Sequence, residues 1–341
     1  MSSNIDTPEK ITPRRWGEKR YHSLDYDLKK TYGEKIYKLS LQGGMTCPNR
    51  DGKIGHAGCA FCSKGGSGDF AAPFSCSPEE WDVARHTKTP YDFHMREQIE
   101  YAKQMINRKA DCKHYIAYFQ SYTNTYAPVA YLRELFQAAI APEEIAILSI
   151  GTRADCLGDD VIEMLDRLNQ IKPVWVELGF QTMHESSHAQ LNTGFSLATF
   201  ESVVNKLHKA GIKIIVHVIL GLPNETEDMM LASIDYLSGL PIWGIKLQLL
   251  YYLKHTQLGQ QYESGLLSQE MTLDSYTDLV VKCMERIPPD VVIHRLTGDG
   301  PKELLLAPTW SSNKKQVLNT IQKKLKQYNT YQGKGVNHGR T

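Results

Sequence analysis

The chain has 341 residues, of which 41% are hydrophobic and 23% are charged, and its formal net charge is +1. This is ample for a buried core, in one large domain or two smaller ones. A net charge so close to zero excludes binding to nucleic acid or membranes through overall charge alone.

The first twenty residues are polar and lack the apolar run of a signal peptide. No apolar run reaches the roughly 20 residues that a membrane-spanning helix needs. We therefore expect a cytoplasmic protein whose thiols stay reduced, so that clustered cysteines indicate metal binding or catalysis.

Seven apolar, β-branched runs recur along the chain. They predict strands over residues 37–41, 116–119, 145–150, 174–180, 213–220, 245–252 and 291–296. Several are apolar throughout, as expected of parallel strands that are covered on both faces. Helical patterns lie between the strands. They cover residues 129–140, 159–169 and 196–210, the last with Ser196 as N-cap and Gly211 after its end.

Strands that alternate with helices at this spacing predict six or seven β/α units. The sequence therefore predicts an α/β protein with a full or partial parallel barrel, and a doubly wound open sheet is the alternative. In a barrel, the loops after the strands meet at one mouth. Cys47, the segments 151–156 and 221–226, and Gln181 all follow predicted strands, so we expect them at that mouth.

Cys47, Cys59 and Cys62 fall in one short segment after the first predicted strand. A [4Fe–4S] cluster normally takes four thiolates, so three would leave one iron free for a substrate or cofactor. The main alternative is a zinc site in which His56 is the fourth ligand. A redox pair at Cys59 and Cys62 would leave Cys47 without a role. The position at a barrel mouth favours the open, catalytic site.

Glu177 lies on the same side of its predicted strand as Trp175, and an inward carboxylate in an apolar strand needs a partner. A role in binding is one interpretation, and an ion pair with Arg153 is the other. Among the remaining cysteines, only Cys156 follows a strand closely enough to join the chemistry, so Cys156 and Glu177 are the catalytic candidates. Further candidates at the mouth are Thr152, Arg153, Gln181, His217 and Gln248; Gln248 and Lys246 alternate with apolar residues, so one face of their strand is polar. His294 and Arg295 either close the open side of the barrel or meet a substrate phosphate.

The stretch LQGGMTCPNRDG…GCAFC resembles the cluster loop of radical S-adenosylmethionine (radical SAM) enzymes. It is similar to the branch that includes the radical-SAM half of the elongator acetyltransferase subunit, which acts on tRNA wobble uridines. It is more similar still to a bacterial family of stand-alone proteins of the YtqA/YhcC type. The resemblance spans roughly residues 15–315 and includes GTRADCL, VELGFQT, HVILGLPNET and VIHRLTGDGPKELLLAPTW.

The resemblance implies a partial (β/α) barrel of six to seven parallel strands with N- and C-terminal extensions. We place the extensions at residues 1–34 and 301–341 and the barrel at residues 35–300. The resemblance also implies a [4Fe–4S] cluster on Cys47, Cys59 and Cys62, and S-adenosylmethionine on the fourth iron. One-electron reduction, from a donor such as flavodoxin or ferredoxin, would then cleave S-adenosylmethionine to methionine and a 5′-deoxyadenosyl radical.

Phe61 matches the aromatic position of the family near the adenine. Gly65 and Gly66 match the glycines that meet the amino end of methionine. Thr152 and Arg153 either hold the carboxylate of S-adenosylmethionine or brace their loop. The other residues that we expect to face the cofactor are Glu177, Gln181, His217 and Gln248.

Both ends of the chain are basic, and the N-terminal end also carries Trp16, Tyr21 and His22. Basic residues mixed with aromatic ones are typical of RNA contact. The candidates are Arg14, Arg15, Lys19, Arg20, Lys314, Lys315, Lys323 and Lys324. The alternative is that these C-terminal lysines form the solvated side of a helix whose apolar face holds Val317, Leu318, Ile321 and Leu325.

These features predict a radical SAM enzyme that modifies the C5 side chain of a tRNA wobble uridine, with tRNA as its partner. The chain ends about 40 residues after its last predicted strand, so we do not expect acetyl transfer in the same polypeptide. Trimming of a carboxymethylaminomethyl group toward aminomethyl is the expected reaction. The alternatives are radical chemistry on a small metabolite or peptide, and a zinc-stapled RNA-binding module without catalysis.

Overall fold

Seven parallel strands form the central sheet of the computed structural model, which describes residues 13–63, 66, 91–108, 112–298 and 300–336. Their order in the sheet follows the chain. The seven are β1 (Tyr37–Leu41), β2 (Tyr115–Phe119), β3 (Ile145–Thr152), β4 (Val174–Gln181), β5 (Lys213–Leu220), β6 (Gly244–Leu249) and β8 (Val292–Arg295). A doubly wound sheet would reverse its order near the middle, so that alternative is wrong.

The sheet is curled into a partial barrel. Neighbouring strands lie about 4.8 Å apart, so in a flat sheet β1 and β4 would be separated by roughly 14 Å. Yet Lys38 of β1 forms an ion pair with Glu177 of β4. Glu177 also reaches Lys246 of β6 from the other side. These contacts across the interior confirm the predicted fold class.

The predicted strand at 245–252 is wrong in one respect, because two strands share this run. β6 ends at Leu249, and the short β7 (Tyr252–Leu253) pairs antiparallel with β9 (Leu305–Ala307) in a separate two-stranded sheet. The apolar pattern continues across both strands because both are buried, so hydrophobicity alone does not mark the break.

Ten α-helices cover the sheet within the described residues. They are α1 (Leu24–Tyr32), α2 (Tyr91–Asn107), α3 (Val129–Ile140), α4 (Asp159–Asn169), α5 (Glu185–Leu191), α6 (Leu197–Lys209), α7 (Glu227–Ser238), α8 (Gln257–Glu263), α9 (Leu273–Arg286) and α10 (Lys314–Gln327). Ser196 caps α6 through its side chain, and Gly211 follows with a positive φ of 64°, as predicted. In the part of the chain that the structure describes, no helix is both long and apolar enough to cross a membrane.

Helix α1 closes the bottom of the barrel. The Ser23 side chain accepts a hydrogen bond from the Tyr26 amide at its start, and Gly33 ends it in the left-handed conformation. Its Leu28 packs into an apolar cluster with inward residues of four strands, Ile116, Ile147, Trp175 and Ile215. This apolar cluster therefore closes the polar interior at the amino-terminal ends of the strands.

The described segments near the two ends of the chain pack against each other. The Arg20 guanidinium donates hydrogen bonds to the carbonyl oxygens of Leu325 and Thr330, at 3.0 and 3.3 Å. The Tyr21 hydroxyl contacts the Gln322 side chain. The two basic segments, far apart in sequence, are thus neighbours on one side of the molecule.

Lys324 does not belong to this exposed basic surface. Its side chain is only 8% exposed, and its ammonium lies 2.6 Å from an Asp274 oxygen and 2.8 Å from an Asp278 oxygen. It lies seven residues after Val317, on the apolar face of α10, where Val317 and Ile321 are buried. The candidate role of Lys324 in RNA contact is therefore corrected to a structural one.

Replacing Lys324 by alanine should lower the free energy of unfolding by about 1–2 kcal/mol, because both packing of the side-chain stem and charge-assisted hydrogen bonds are lost. Lys323→Ala is the matched control, because Lys323 is exposed at the preceding position. It should change the free energy of unfolding by less than about 0.5 kcal/mol. Urea unfolding of both variants measures the difference. Equal effects of the two would contradict the structural role of Lys324.

Candidate active site

Cys47, Cys59 and Cys62 line one cavity at the carboxyl ends of the strands. Cys47 lies in the loop that follows β1. The other two cysteines share a turn, closed by a hydrogen bond of 2.9 Å from the Cys62 amide to the Cys59 carbonyl. The structure therefore brings the three predicted ligands together.

The loop between them is held by its own backbone. The Gly58 amide donates to the Asn49 carbonyl at 2.7 Å, and Gly58 has a φ of 76°. Gly66 also has a positive φ, of 74°, and lines the cavity. A Cβ atom at Gly66 would come within 2.9 Å of the Ser121 carbonyl oxygen, so only glycine fits. Gly65 lies outside the described residues.

The three thiols interact electrostatically. Burial, together with the neighbouring Cys62 and Cys47, raises the pKa of Cys59 to about 11, against the opposing effects of Arg153 and of the hydrogen bond from Asn49. The Asn49 side-chain amide lies 3.6 Å from the Cys59 sulfur and donates toward it. Hydrogen bonds to sulfur are a usual feature of iron–sulfur ligands, so this donor set fits a cluster.

A single zinc ion does not fit as well. Within the described residues, no three His, Cys, Asp or Glu side chains lie together as ligands of one metal ion would. His56, the predicted fourth zinc ligand, is exposed and is not among the cavity residues. In a cluster each thiolate binds a different iron, so the thiolates need not converge on one point.

Glu177 is the centre of a buried polar network below the cysteines. One carboxylate oxygen accepts from Lys38 and, at 2.8 Å, from the Ser149 hydroxyl. The other accepts from Lys246 and, at 2.9 Å, from the His217 ring. All four lone-pair positions are therefore used. The expected ion pair with Arg153 is not formed, because the curled sheet brings Lys38 and Lys246 closer.

Charges in this network are strongly coupled. Burial acts to raise the pKa of Glu177, but Lys246, Lys38 and the hydrogen bond from His217 outweigh it and hold that pKa well below 4.5. Burial and the nearby Lys246 lower the pKa of His217 to about 4, so its ring is neutral at pH 7. Tyr118 lies between the two lysines, with the Lys38 ammonium 4.2 Å from its ring centroid. The network is thus a fixed, cationic floor.

Arg153 and Thr152 line the cavity but also brace their loop. The Arg153 guanidinium forms two hydrogen bonds of 2.8 Å with Asp155 and a third with the Thr193 carbonyl. The Thr152 hydroxyl lies 2.6 Å from that of Thr125. Of the two expected roles, bracing is the one that these contacts support.

The remaining cofactor candidates that the structure describes all line the same cavity. Gln181 has a positive φ of 70°, and its buried side-chain oxygen has no partner within the described residues. A buried amide oxygen without a hydrogen-bond donor is expected where a bound ligand supplies that donor. The other lining candidates are Phe61, Gly66, His217 and Gln248.

Cys156 is not among the residues that line this cavity. It ends the short 3₁₀ turn after β3 and lines a neighbouring cavity with Asp155 and Lys53. Burial and the neighbouring Asp155 raise its pKa to about 12, so it is a thiol at neutral pH, and it is near enough to Cys47 to interact with it electrostatically. A role of Cys156 in the chemistry stays a prediction. Its strand-end position in sequence does not reveal which side of the turn it faces.

Lys38, Tyr118 and Ser149 were not among the predicted site residues. Each is a polar residue on an inward position of an apolar strand, as Lys246 is on β6. The alternation of polar and apolar residues in YKLSL is the signal that could have identified Lys38.

Comparison with known proteins agrees with this geometry. Residues 47–237 match the family model described as the radical SAM superfamily, and residues 242–327 match the radical SAM C-terminal domain. YtqA of Bacillus subtilis (strain 168) is 44% identical over 93% of this chain and 93% of its own length. YhcC of Escherichia coli (strain K12) is 34% identical over 84% of this chain and 86% of its own length.

Among solved structures, Elp3 of the archaeon Methanocaldococcus infernus has a TM-score of 0.57 at 16% identity, over 69% of this chain and 59% of that chain. Methylornithine synthase (PylB) has a TM-score of 0.51 at 11% identity, over 90% of this chain and 86% of that chain. At these identities the two likenesses show the fold alone. The family model covers more than half of the chain, so the chain belongs to the radical SAM superfamily, with YtqA and YhcC as its relatives, and its cofactors are a [4Fe–4S] cluster and S-adenosylmethionine.

Proposed function

We propose that Cys47, Cys59 and Cys62 hold the cluster and leave its fourth iron to S-adenosylmethionine. The observation that carries this assignment is that the three cysteines line one cavity. The same cavity is lined by Gln181, whose side-chain oxygen has no partner within the described residues, and by Gly66, where a side chain would not fit. When bound, S-adenosylmethionine supplies a 5′-deoxyadenosyl radical, and enzymes of this superfamily need an electron donor for it. Flavodoxin or ferredoxin is the donor that we propose.

The chain itself supplies position and enclosure for this chemistry. Phe61, Gly65 and Gly66 are proposed to border the cofactor, with Gln181 and Gln248 as hydrogen-bonding side chains. Glu177 and His217 act from below as positioning residues, because their polar atoms are engaged with each other and with the lysines. A closed apolar base below them excludes water from the reacting atoms.

The proposed substrate is a tRNA whose wobble uridine carries a C5 side chain. Support comes from the basic surface that the two chain ends form together. Arg14 and Arg15 are exposed, with the Arg14 guanidinium 4.9 Å from the Trp16 ring centroid, and Lys315 and Lys323 are exposed on α10. Arg20 instead ties the two segments together, Lys19 is half-buried against Tyr21, and Lys314 is half-exposed.

The proposed reaction trims carboxymethylaminomethyluridine to aminomethyluridine. Hydrogen leaves the methylene carbon next to the carboxylate, the side chain is oxidised to an imine, and water breaks the carbon–nitrogen bond to release glyoxylate. The hydrogen atom ends on 5′-deoxyadenosine, the proton of the amine nitrogen passes to solvent, and the remaining electron would return to the cluster. S-adenosylmethionine, which ends as methionine and 5′-deoxyadenosine, is then the two-electron oxidant, and the external donor is needed only to start the cycle.

The test uses anaerobically reconstituted protein, dithionite and S-adenosylmethionine, with tRNA from a strain that lacks this gene. We expect 5′-deoxyadenosine and glyoxylate to rise together, and the wobble nucleoside to lose the mass of the carboxymethyl group. An unmodified transcript of the same tRNA is the control and should give neither product. If 5′-deoxyadenosine were indifferent to tRNA, the substrate would instead be a small metabolite or peptide.

A further inference from the structure

Arg295, at the end of β8, lines the same cavity as the three cysteines. Two other arginines line it, and both are engaged: Arg50 donates to the carbonyls of Cys62 and Ser63, and Arg153 binds Asp155. Within the described part of the chain, the Arg295 guanidinium makes no hydrogen bond or ion pair. A half-buried guanidinium without an acceptor lacks the interactions that would offset its lost hydration.

The carboxylate that shares the cavity with this arginine is already engaged by other residues. Glu177 is the only acidic residue among the cavity residues that the structure describes, and its four acceptor positions are filled by Lys38, Ser149, Lys246 and His217. Lys38 and Arg295 alone bring two positive charges against the single charge of Glu177. The cavity floor therefore has a surplus of positive charge, which an enclosed site of low dielectric strengthens.

We infer that Arg295 binds a carboxylate of the substrate and so determines which side chains the enzyme accepts. The planar guanidinium matches a carboxylate with two parallel hydrogen bonds, which fixes orientation as well as position. This inference rests on the proposed function, in which the carboxymethyl end of the uridine side chain supplies that carboxylate. Binding it at Arg295 would hold the adjacent methylene carbon over the cavity, where its hydrogen is removed.

The test compares the reconstituted wild-type protein with Arg295→Gln and Arg295→Lys. The probes are anticodon stem-loop RNAs that carry carboxymethylaminomethyluridine or its neutral methyl ester. Binding is measured by fluorescence anisotropy without reductant, and S-adenosylmethionine affinity is measured on the same proteins. Thermal unfolding establishes that each variant is folded, and Arg295→Lys keeps the charge if the glutamine variant is unstable.

We expect the wild-type protein to prefer the free acid over the ester by on the order of 100-fold. Arg295→Gln should bind both RNAs equally. Arg295→Lys should keep part of the preference for the acid, because lysine keeps the positive charge but cannot form the two parallel hydrogen bonds of a guanidinium. S-adenosylmethionine affinity should stay at the wild-type value in both variants.

Three results would overturn the assignment. Equal weakening of acid and ester in Arg295→Gln would mean that Arg295 meets a backbone phosphate. Loss of S-adenosylmethionine binding would place the cofactor's own carboxylate at Arg295. An undiminished preference for the acid in Arg295→Gln would exclude Arg295 as its receptor. Failure of the proposed function looks different, since the wild-type protein itself would then bind modified and unmodified RNA alike.

Discussion

Replacing Cys59 by serine should reduce 5′-deoxyadenosine formation to an undetectable level and remove most of the bound iron. Cys59 has Cys62 and Cys47 as electrostatic neighbours, and the Asn49 side-chain amide donates a hydrogen bond toward its sulfur. A serine oxygen is a poor ligand for iron in a sulfide cluster, which selects soft thiolates. The cluster should therefore fail to assemble or should be lost on purification.

Iron and sulfide content, together with the broad visible absorption of an iron–sulfur cluster, measure this directly. Cys112→Ser is the matched control, because Cys112 is also half-buried but is not among the residues lining the cavity. It should retain cluster and product formation. A Cys59→Ser protein with full iron content would show that the three cysteines are not the cluster ligands.

The strands were predictable because they are almost continuously apolar. The β1 run at 37–41 and the β5 run at 213–220 match the observed strands at both ends. Their parallel order followed from the regular alternation with helices. The sequence predicted a barrel, but it did not reveal which side chains meet across the barrel interior, because that depends on how far seven strands together curl.

The curl is why the ion pair with Arg153, one of the two interpretations of Glu177, is not formed. Arg153 follows the neighbouring strand and is near in the sheet order, whereas Lys38 lies on β1, three strands away. Only a curved sheet makes the more distant lysine the closer one. The inward position of Glu177, by contrast, followed from the two-residue period of its strand.

Lys324 is a case in which the sequence did carry the answer. Val317, Ile321 and Lys324 have the i, i+4, i+7 spacing of one helical face, so Lys324 lies with the apolar residues. Lys324 was nevertheless predicted to contact RNA because it is positively charged. Cys156 differs, because no pattern of spacing indicates which way a 3₁₀ turn presents its last side chain.

Glu177→Gln should lower the free energy of unfolding by about 3–5 kcal/mol, although glutamine has nearly the same shape. The substitution leaves Lys38 and Lys246 facing each other across a neutral amide, and the Lys246 side chain is only 5% exposed. Ser149→Ala, which removes one neutral donor to the same carboxylate, is the control and should cost only about 1 kcal/mol.

A double substitution separates this charge effect from simple loss of packing. If the cost of Glu177→Gln comes from buried charge without a counter-charge, then adding Lys246→Met should recover part of the lost stability, because one of the two uncompensated ammonium groups is gone. Urea unfolding of the two single variants and the double variant gives the coupling free energy. Additive losses would instead mean that the contribution of Lys246 to stability does not depend on Glu177. The expected recovery would establish that the Glu177 carboxylate stabilises the buried lysines around it. A single carboxylate does not balance all the positive charge of this floor. The remaining positive charge is what an anionic substrate would bind.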